Sequence, residues 1–255
     1  MSTPETNPYA SPKTQPSLRA SNARGECSLF RMTCLAALWF VFQFLVYSSF
    51  DLLSAFVIDA GTLRFNALIA AWGTVGVLIK GRVESILIPI VAFSGLMFAA
   101  LIQGSASFEL LKAIGAVGAS RLGNRLVTAP TTLLLIRRHS VRSAEHTNMP
   151  PIRSTLLSSF IGAVLGIIVF CVTLLPSGVW MTLGEALLLY AAIGSFGACS
   201  RNLPLASVWL ILICGARFGL SIDTSVYAGV AWFSMLAGRG GAMFLHSDDR
   251  RKVSR

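Results

Sequence analysis

The chain alternates apolar segments with short polar ones. Seven apolar segments stand out, at 32–50, 65–79, 85–102, 155–175, 179–198, 204–220 and 224–237, and the last can extend to 245. The first of them would rise roughly 28 Å as a helix at 1.5 Å per residue, which is enough to cross the hydrocarbon core of a bilayer. This pattern predicts a series of membrane-spanning helices.

An eighth span is needed for the chain to reach the basic linker at 137–154 on the inner side. The one candidate segment is 117–136, which contains Arg121, Arg125 and Pro130. We expect both arginines near its outer end, where their side chains can reach the membrane interface. Pro130 would kink the helix. If this segment does not cross, the chain has seven spans.

Composition and charge agree with a membrane protein. Hydrophobic residues make up 54% of the chain and charged residues 13%, whereas soluble domains carry about 25% charged residues. These values exclude ordinary soluble enzymes, disordered chains, coiled coils and disulfide-rich domains. The net charge of +10 falls in the segments predicted to lie inside. We therefore predict an all-α polytopic bundle in the inner membrane, with both termini cytoplasmic, lipid as its solvent and no nucleic-acid partner.

Three regions follow from this topology. Residues 1–31 form a proline-rich, disordered cytoplasmic tail, 32–245 form the transmembrane domain, and 246–255 form a basic cytoplasmic tail. The tail carries Asn-Pro-Tyr-Ala-Ser-Pro at 7–12. These six residues resemble an N-terminal tail found on many uncharacterised bacterial multi-pass membrane proteins, and the resemblance implies no activity.

Candidate chemistry is limited to ionisable and polar residues within the spans. The sequence contains no nucleophile elbow, phosphate-binding loop or zinc-helix motif, and its His and Cys residues lack metal-ligand spacing, so we predict no metal and no cofactor. Glu185 and Arg217 lie at similar depth on neighbouring spans and are expected to pair. With three charged residues at the same outer level and a glutamine in span one, they define a candidate outer vestibule for a solute or proton: Glu185, Arg217, Arg121, Arg125, Asp51 and Gln43.

Small residues indicate how the helices pack. Gly162 and Gly166 form a G-x-x-x-G pair on span five, which predicts close helix packing within the chain or, as the alternative, a homodimer. The glycine-rich stretch at 238–241 is expected to end the last helix. A comparison of the two halves of the chain shows no convincing sequence similarity, so no repeat is predicted.

Three function classes fit these features. A small-solute transporter or permease subunit with a polar outer vestibule is favoured by the span count and by polar residues at one depth. A non-catalytic membrane subunit that binds a fixed partner is the alternative. An intramembrane enzyme acting on lipid is the third class, and the absence of a catalytic motif argues against an enzyme.

Overall fold

The computed structural model describes residues 18–53, 59–102, 106–128, 152–174, 182–219 and 222–253. Its side chains are described over 29–53, 59–95, 109–128, 155–174, 182–219 and 225–245. Within these ranges the protein is all-helical, with eight helices and no strands. They are α1 (Leu18–Leu53), α2 (Ala60–Leu78), α3 (Glu84–Ile102), α4 (Ala106–Thr128), α5 (Ile152–Thr173), α6 (Leu183–Cys199), α7 (Leu203–Phe218) and α8 (Ile222–Val253).

Seven helices cover the seven apolar segments of the sequence. Two of them contain stretches long and apolar enough to cross a membrane, Leu29–Leu53 in α1 and Thr155–Thr173 in α5. Shorter apolar helices cover Glu84–Gly95, Leu183–Cys199 and Leu203–Phe218. The presence of two helices that could cross a membrane suggests that the protein associates with one.

The predicted helix boundaries differ from the structure at three places. The fourth helix is Ala106–Thr128 rather than 117–136, and Pro130 lies outside the described residues. Helix α1 begins at Leu18, so the second half of the expected disordered tail is helical, and no proline lies within Leu18–Leu53 to prevent this. Helix α8 continues through 238–241 and on to Val253, so the glycines do not end it. Residues 1–17 and the linker at 137–151 lie outside the described residues.

Helices α2 and α6 form the centre of the bundle. Nearly every residue of α2 from Asn66 onward is buried, as are most residues of α6. Both helices begin at a side-chain cap, because Asp59 accepts a hydrogen bond from the amide of Thr62 and Thr182 accepts one from the amide of Glu185. The remaining helices pack around this pair.

The links that follow α2 and α6 meet at one end of the bundle. Ile79 and Ser200 form an isolated antiparallel bridge. The amide of Lys80 donates to the carbonyl of Cys199 at 3.0 Å, and the amide of Arg201 donates to the carbonyl of Leu78 at 2.8 Å. We call this the basic end, and the end at which Asp59 and Thr182 begin α2 and α6 the opposite end. The α2–α3 hairpin and the α6–α7 hairpin are therefore joined tip to tip.

The two hairpins also interlock. Helix α2 packs more extensively against α7 than against α3, although α2 and α3 form one hairpin. Helix α6 likewise packs more extensively against α3 than against α7, the other helix of its own hairpin. Each half of the chain therefore completes the core of the other half.

The structure reveals a repeat that the comparison of the two halves did not predict. Helices α1–α4 correspond in order to α5–α8, with α2 packed on α4 as α6 is packed on α8. Equivalent stretches of α2 and α6 read Ala-Ala-Trp-Gly-Thr-Val-Gly at 70–76 and Ala-Ala-Ile-Gly-Ser-Phe-Gly at 191–197. The shared positions hold only small residues, and these are common in packed helices, which is why the match was missed.

Close helix contacts fix the alignment of the two halves. A methyl group on Gly76 would overlap the backbone of Ser120 in α4, and one on Gly197 would overlap the backbone of Met235 in α8. One turn earlier on the same helices, Gly73 faces Gln43 of α1 and Gly194 faces Gly162 of α5. These pairs of contacts give the residue-by-residue correspondence used below.

Gly162 and Gly166 pack within the chain. Both lie directly against the backbone of α6, at Gly194 and Tyr190 respectively. The intrachain alternative of the sequence analysis therefore accounts for this pair.

Candidate functional site

Three buried polar side chains from three helices meet near the opposite end of the bundle. Lys112 of α4 donates to Asp51 of α1 at 2.5 Å and to the side-chain carbonyl of Asn66 of α2 at 3.0 Å. The Asn66 amide donates to the second Asp51 oxygen at 2.6 Å. Lys112, Asp51 and Asn66 are 6%, 2% and 0% exposed, respectively. We call these three residues the charged trio.

The position of the charged trio is not one that helix electrostatics favours. Asp51 lies in the last turn of α1, where the partial negative charge of the helix end repels a carboxylate. Burying two charges also carries a desolvation cost that their mutual attraction often fails to recover. A buried ion pair of this kind is weak evidence for a role in stability, so a functional role deserves consideration.

The second half of the chain builds the equivalent position without charge. The alignment places Phe170, Leu187 and Tyr227 where the first half has Asp51, Asn66 and Lys112. The rings of Phe170 and Tyr190 stack there at 4.9 Å, and the Tyr190 hydroxyl donates to the carbonyl of Tyr227. An apolar and aromatic cluster therefore satisfies the same packing, and the four-helix unit does not require the charged trio.

Gln43 lies on α1 two turns from Asp51, at 3% exposure. Its amide nitrogen donates to the Thr74 hydroxyl at 3.1 Å and to the Trp39 carbonyl at 3.3 Å. Its side-chain oxygen is buried and has no hydrogen-bond partner among the described residues. Such an orphaned acceptor is costly, and this one is packed against Gly73 of α2.

A groove between α1 and α4 connects Gln43 with Lys112. Its volume is about 530 Å³, within the roughly 300–1,000 Å³ typical of small-molecule sites. The groove runs from Trp39 to Phe50 along α1, which is roughly 16 Å of helix. Apolar and aromatic residues line most of it. They are Trp39, Phe42, Val46, Tyr47 and Phe50 of α1 and Leu111, Ile114, Gly115, Gly118, Ala119 and Leu122 of α4.

The second half closes the corresponding gap. Helices α5 and α8 pack closely, with Gly241 against Ile161 and Leu165, whereas α1 and α4 make few contacts. Gly118 on the α4 side of the groove faces open space. The groove is therefore a local departure from the symmetry of the fold, and it lies in the same half as the charged trio.

Glu185 and Arg217 come together as expected, but loosely. Their closest charged atoms are 3.9 Å apart, and their side chains are 14% and 28% exposed. Glu185 lies in the first turn of α6 and Arg217 in the last turn of α7, where helix ends favour each charge. Thr182 and Glu185 also have the spacing of a capping box. The positions of this pair are explained by the helix ends.

Arg121 and Arg125 do not lie with Asp51. Because α4 begins eleven residues earlier than expected, Lys112 is the residue of α4 that meets Asp51, and Arg121 is carried to the basic end. There Arg121 donates to the carbonyl of Arg82 at 2.6 Å, and Arg125 lies one turn further on. The predicted single vestibule is therefore wrong for these two arginines.

Sequence reasoning missed Asn66 and Lys112. Lys112 was overlooked because it precedes the expected fourth span, and Asn66 because a neutral amide in an apolar segment does not stand out. An Asn in the second turn of a buried helix is itself a sign, because its side chain needs polar partners inside the protein.

No protein-family model matches this chain, and the searches of curated proteins and of solved structures likewise found no match.

Proposed function

We propose that this chain is a multi-pass inner-membrane protein with eight spans. Support comes from the large apolar side chains on the outside of the bundle, which need an apolar solvent. The outward-facing ones with more than half of their surface exposed include Leu38, Phe42, Phe160, Val172, Val208, Ile211, Phe233 and Phe244. They occur on the four helices α1, α5, α7 and α8.

Charge supports the orientation. Six basic residues of the described side chains lie at or near the basic end: Lys80, Arg82, Arg121, Arg125, Arg201 and Arg239. Placing Arg121 and Arg125 there, rather than outside, strengthens the positive-inside bias. We infer that the basic end faces the cytoplasm and that both termini do as well.

Within that frame we propose a small-solute transporter or permease subunit, with the charged trio as its solute site. The observation that carries this proposal is that the trio is buried and charged in one half and replaced by an apolar cluster in the equivalent half. A costly feature that the fold does not require is best explained by a ligand. Duplicated helical units are also a common architecture of transporters.

The groove suggests the class of solute. An amphipathic organic anion would place its apolar part along the aromatic wall of the groove and its acidic group at Lys112. The anion would then compete with Asp51 for the ammonium group. Solute binding would therefore replace the ion pair between Asp51 of α1 and Lys112 of α4 by a bond from Lys112 to the solute.

The test is a thermal-unfolding screen of the purified full-length protein in detergent against a panel of organic anions, with amino acids, sugars and nucleosides alongside. A ligand at about 100 times its dissociation constant should stabilise the protein by about 2.7 kcal/mol. The informative variant is the apolar triple variant, Asp51→Leu/Asn66→Leu/Lys112→Met, which removes the charges and leaves an apolar site like that of the second half.

We expect a stabilising anion for the wild type, loss of its effect in the apolar triple variant, and retention in the Glu185→Gln control. If the effect is lost in Glu185→Gln and kept in the triple variant, the solute site is at the Glu185–Arg217 pair instead. If no compound stabilises the wild type, the transporter proposal fails. The protein would then be better explained as a subunit that binds a membrane partner, and co-purification would be the next measurement.

A further inference from the structure

Three cationic side chains from three segments converge where the hairpin tips meet at the basic end. Lys80 follows α2, Arg201 follows α6, and Arg239 lies on α8. The Arg201 guanidinium donates to the Ile79 carbonyl at 2.8 Å, and the Arg239 guanidinium donates to the Ser200 carbonyl at 2.8 Å. We call Lys80, Arg201 and Arg239 the tip cluster.

The tip cluster carries more positive charge than its surroundings offset. None of the three cations forms an ion pair with another described residue. Partial burial and the charges of Arg239 and Arg201 lower the pKa of Lys80. Glu84 at the start of α3 is close by and 1% exposed, and the carboxyl ends of α2 and α6 add roughly half a negative charge each. About one positive charge remains after these are counted.

Capping of the helix ends does not explain the charge of Arg239. In the first half the equivalent bond to the Ile79 carbonyl is made at 2.8 Å by the neutral amide of Asn124, which aligns with Arg239. A neutral side chain is therefore sufficient for the cap. The charge at Arg239 is additional. The cluster also has unused donor capacity, because Nη2 of Arg201 and Nε of Arg239 are buried and have no hydrogen-bond partner among the described residues.

We propose that the tip cluster binds a phosphate-bearing anion. Two guanidinium groups offer planar pairs of donors that match phosphate oxygens, and the exposed Lys80 adds a third donor from the solvent side. The phosphate could belong to an anionic phospholipid headgroup or to a small soluble phosphate compound. The lipid source rests on the proposed membrane location of the basic end, whereas the soluble source does not.

The test measures thermal unfolding of the purified full-length protein in neutral detergent, followed by its own tryptophan fluorescence. Sodium phosphate is compared with sodium chloride at equal ionic strength, and phosphatidylglycerol with phosphatidylcholine in mixed micelles. We expect a saturable rise in Tm with one or both phosphate-bearing probes. Lys80→Gln and Arg239→Gln should each raise the half-saturating concentration by about tenfold, and the exposed control Arg125→Gln should not change it.

Saturation by inorganic phosphate supports a soluble anion, and saturation by phosphatidylglycerol alone supports a lipid headgroup. The proposal is overturned if neither probe acts, or if Arg125→Gln weakens binding as much as Arg239→Gln does. Lys80 is exposed, so Lys80→Gln keeps the test valid if Arg239→Gln does not fold. The apolar triple variant should keep its response to phosphate, which separates this proposal from that of the solute site.

Discussion

Lys112 and Asp51 show how context decides the value of a charge. Glu185 and Arg217 lie at helix ends that favour them, so their distance of 3.9 Å and partial exposure need no ligand as an explanation. Asp51 lies at a helix end that opposes it and is neutralised by Lys112 under full burial. The same residue types therefore support different interpretations at the two places.

A first prediction concerns the stability of the charged trio. Lys112→Met leaves the Asp51 carboxylate buried without its cation, so we expect a loss of about 3–5 kcal/mol. The apolar triple variant removes the whole trio and should be about as stable as the wild type, or more stable. Thermal or denaturant unfolding in detergent measures both.

If Lys112→Met and the apolar triple variant lose the same stability, the trio is a structural requirement of the first half. The internal comparison with Phe170 and Tyr227 would then be misleading. Asp51→Leu alone, which leaves Lys112 buried without its anion, provides the complementary single variant and should also be destabilised.

At the residue scale, the sequence pointed to ionisable and polar residues in or beside the apolar segments, and two of those residues, Asp51 and Gln43, are buried in the structure. It could not show which charges meet. A contact such as Lys112 with Asp51 depends on where α4 begins, and the low hydropathy around Arg121 and Arg125 obscured that boundary.

At the element scale, seven helices follow from the apolar segments because burial and length both depend on local composition. The fourth did not, because α4 uses a helical face of small and polar residues, including Ser120 and Asn124, to contact α2 and α3 directly. Ser120 donates to the Ser85 carbonyl at 2.6 Å, and Asn124 donates to the end of α2. A helix that packs through backbone proximity and hydrogen bonds has little hydropathy to detect.

A second prediction tests the close packing of α2 on α4. Gly76→Ala adds a methyl group that overlaps the Ser120 backbone, which neither helix can move to avoid cheaply, so we expect a loss of about 1–3 kcal/mol. Gly118→Ala adds the same group where nothing lies within 4 Å, and it should gain up to about 1 kcal/mol from helix propensity.

Both substitutions are glycine to alanine within a helix, so each is the control for the other. The melting temperatures of the two variants should move in opposite directions. Equal effects would contradict the α2–α4 contact described here.

At the scale of the whole molecule, the eight helices of the described residues match the number of helices expected from the sequence. The duplication was not accessible from the sequence, because the two halves share mainly glycine and alanine positions along α2 and α6. Differences such as the charged trio against its aromatic counterpart further reduce the similarity of the halves. The symmetry is visible only in the pattern of contacts between helices.

A third prediction concerns topology. A reporter fused at 103–107, between α3 and α4, should be on the periplasmic side, and one fused within 137–154 should be cytoplasmic. The reason is that the basic end carries the excess of Arg and Lys. A cytoplasmic result at 103–107 would contradict the eight-span orientation, and matched fusions after Arg201 and near the C-terminus would show which crossing is absent.

The tip-to-tip joining of the hairpins has a consequence for the order of synthesis. The carbonyl of Leu78 leaves the ribosome long before the amide of Arg201 that it accepts. The tip of the α2–α3 hairpin therefore stays unpaired until α6 and α7 have been made, and the first four helices reach their final arrangement only then. Two halves that wait for one another in this way resemble two subunits joined in one chain.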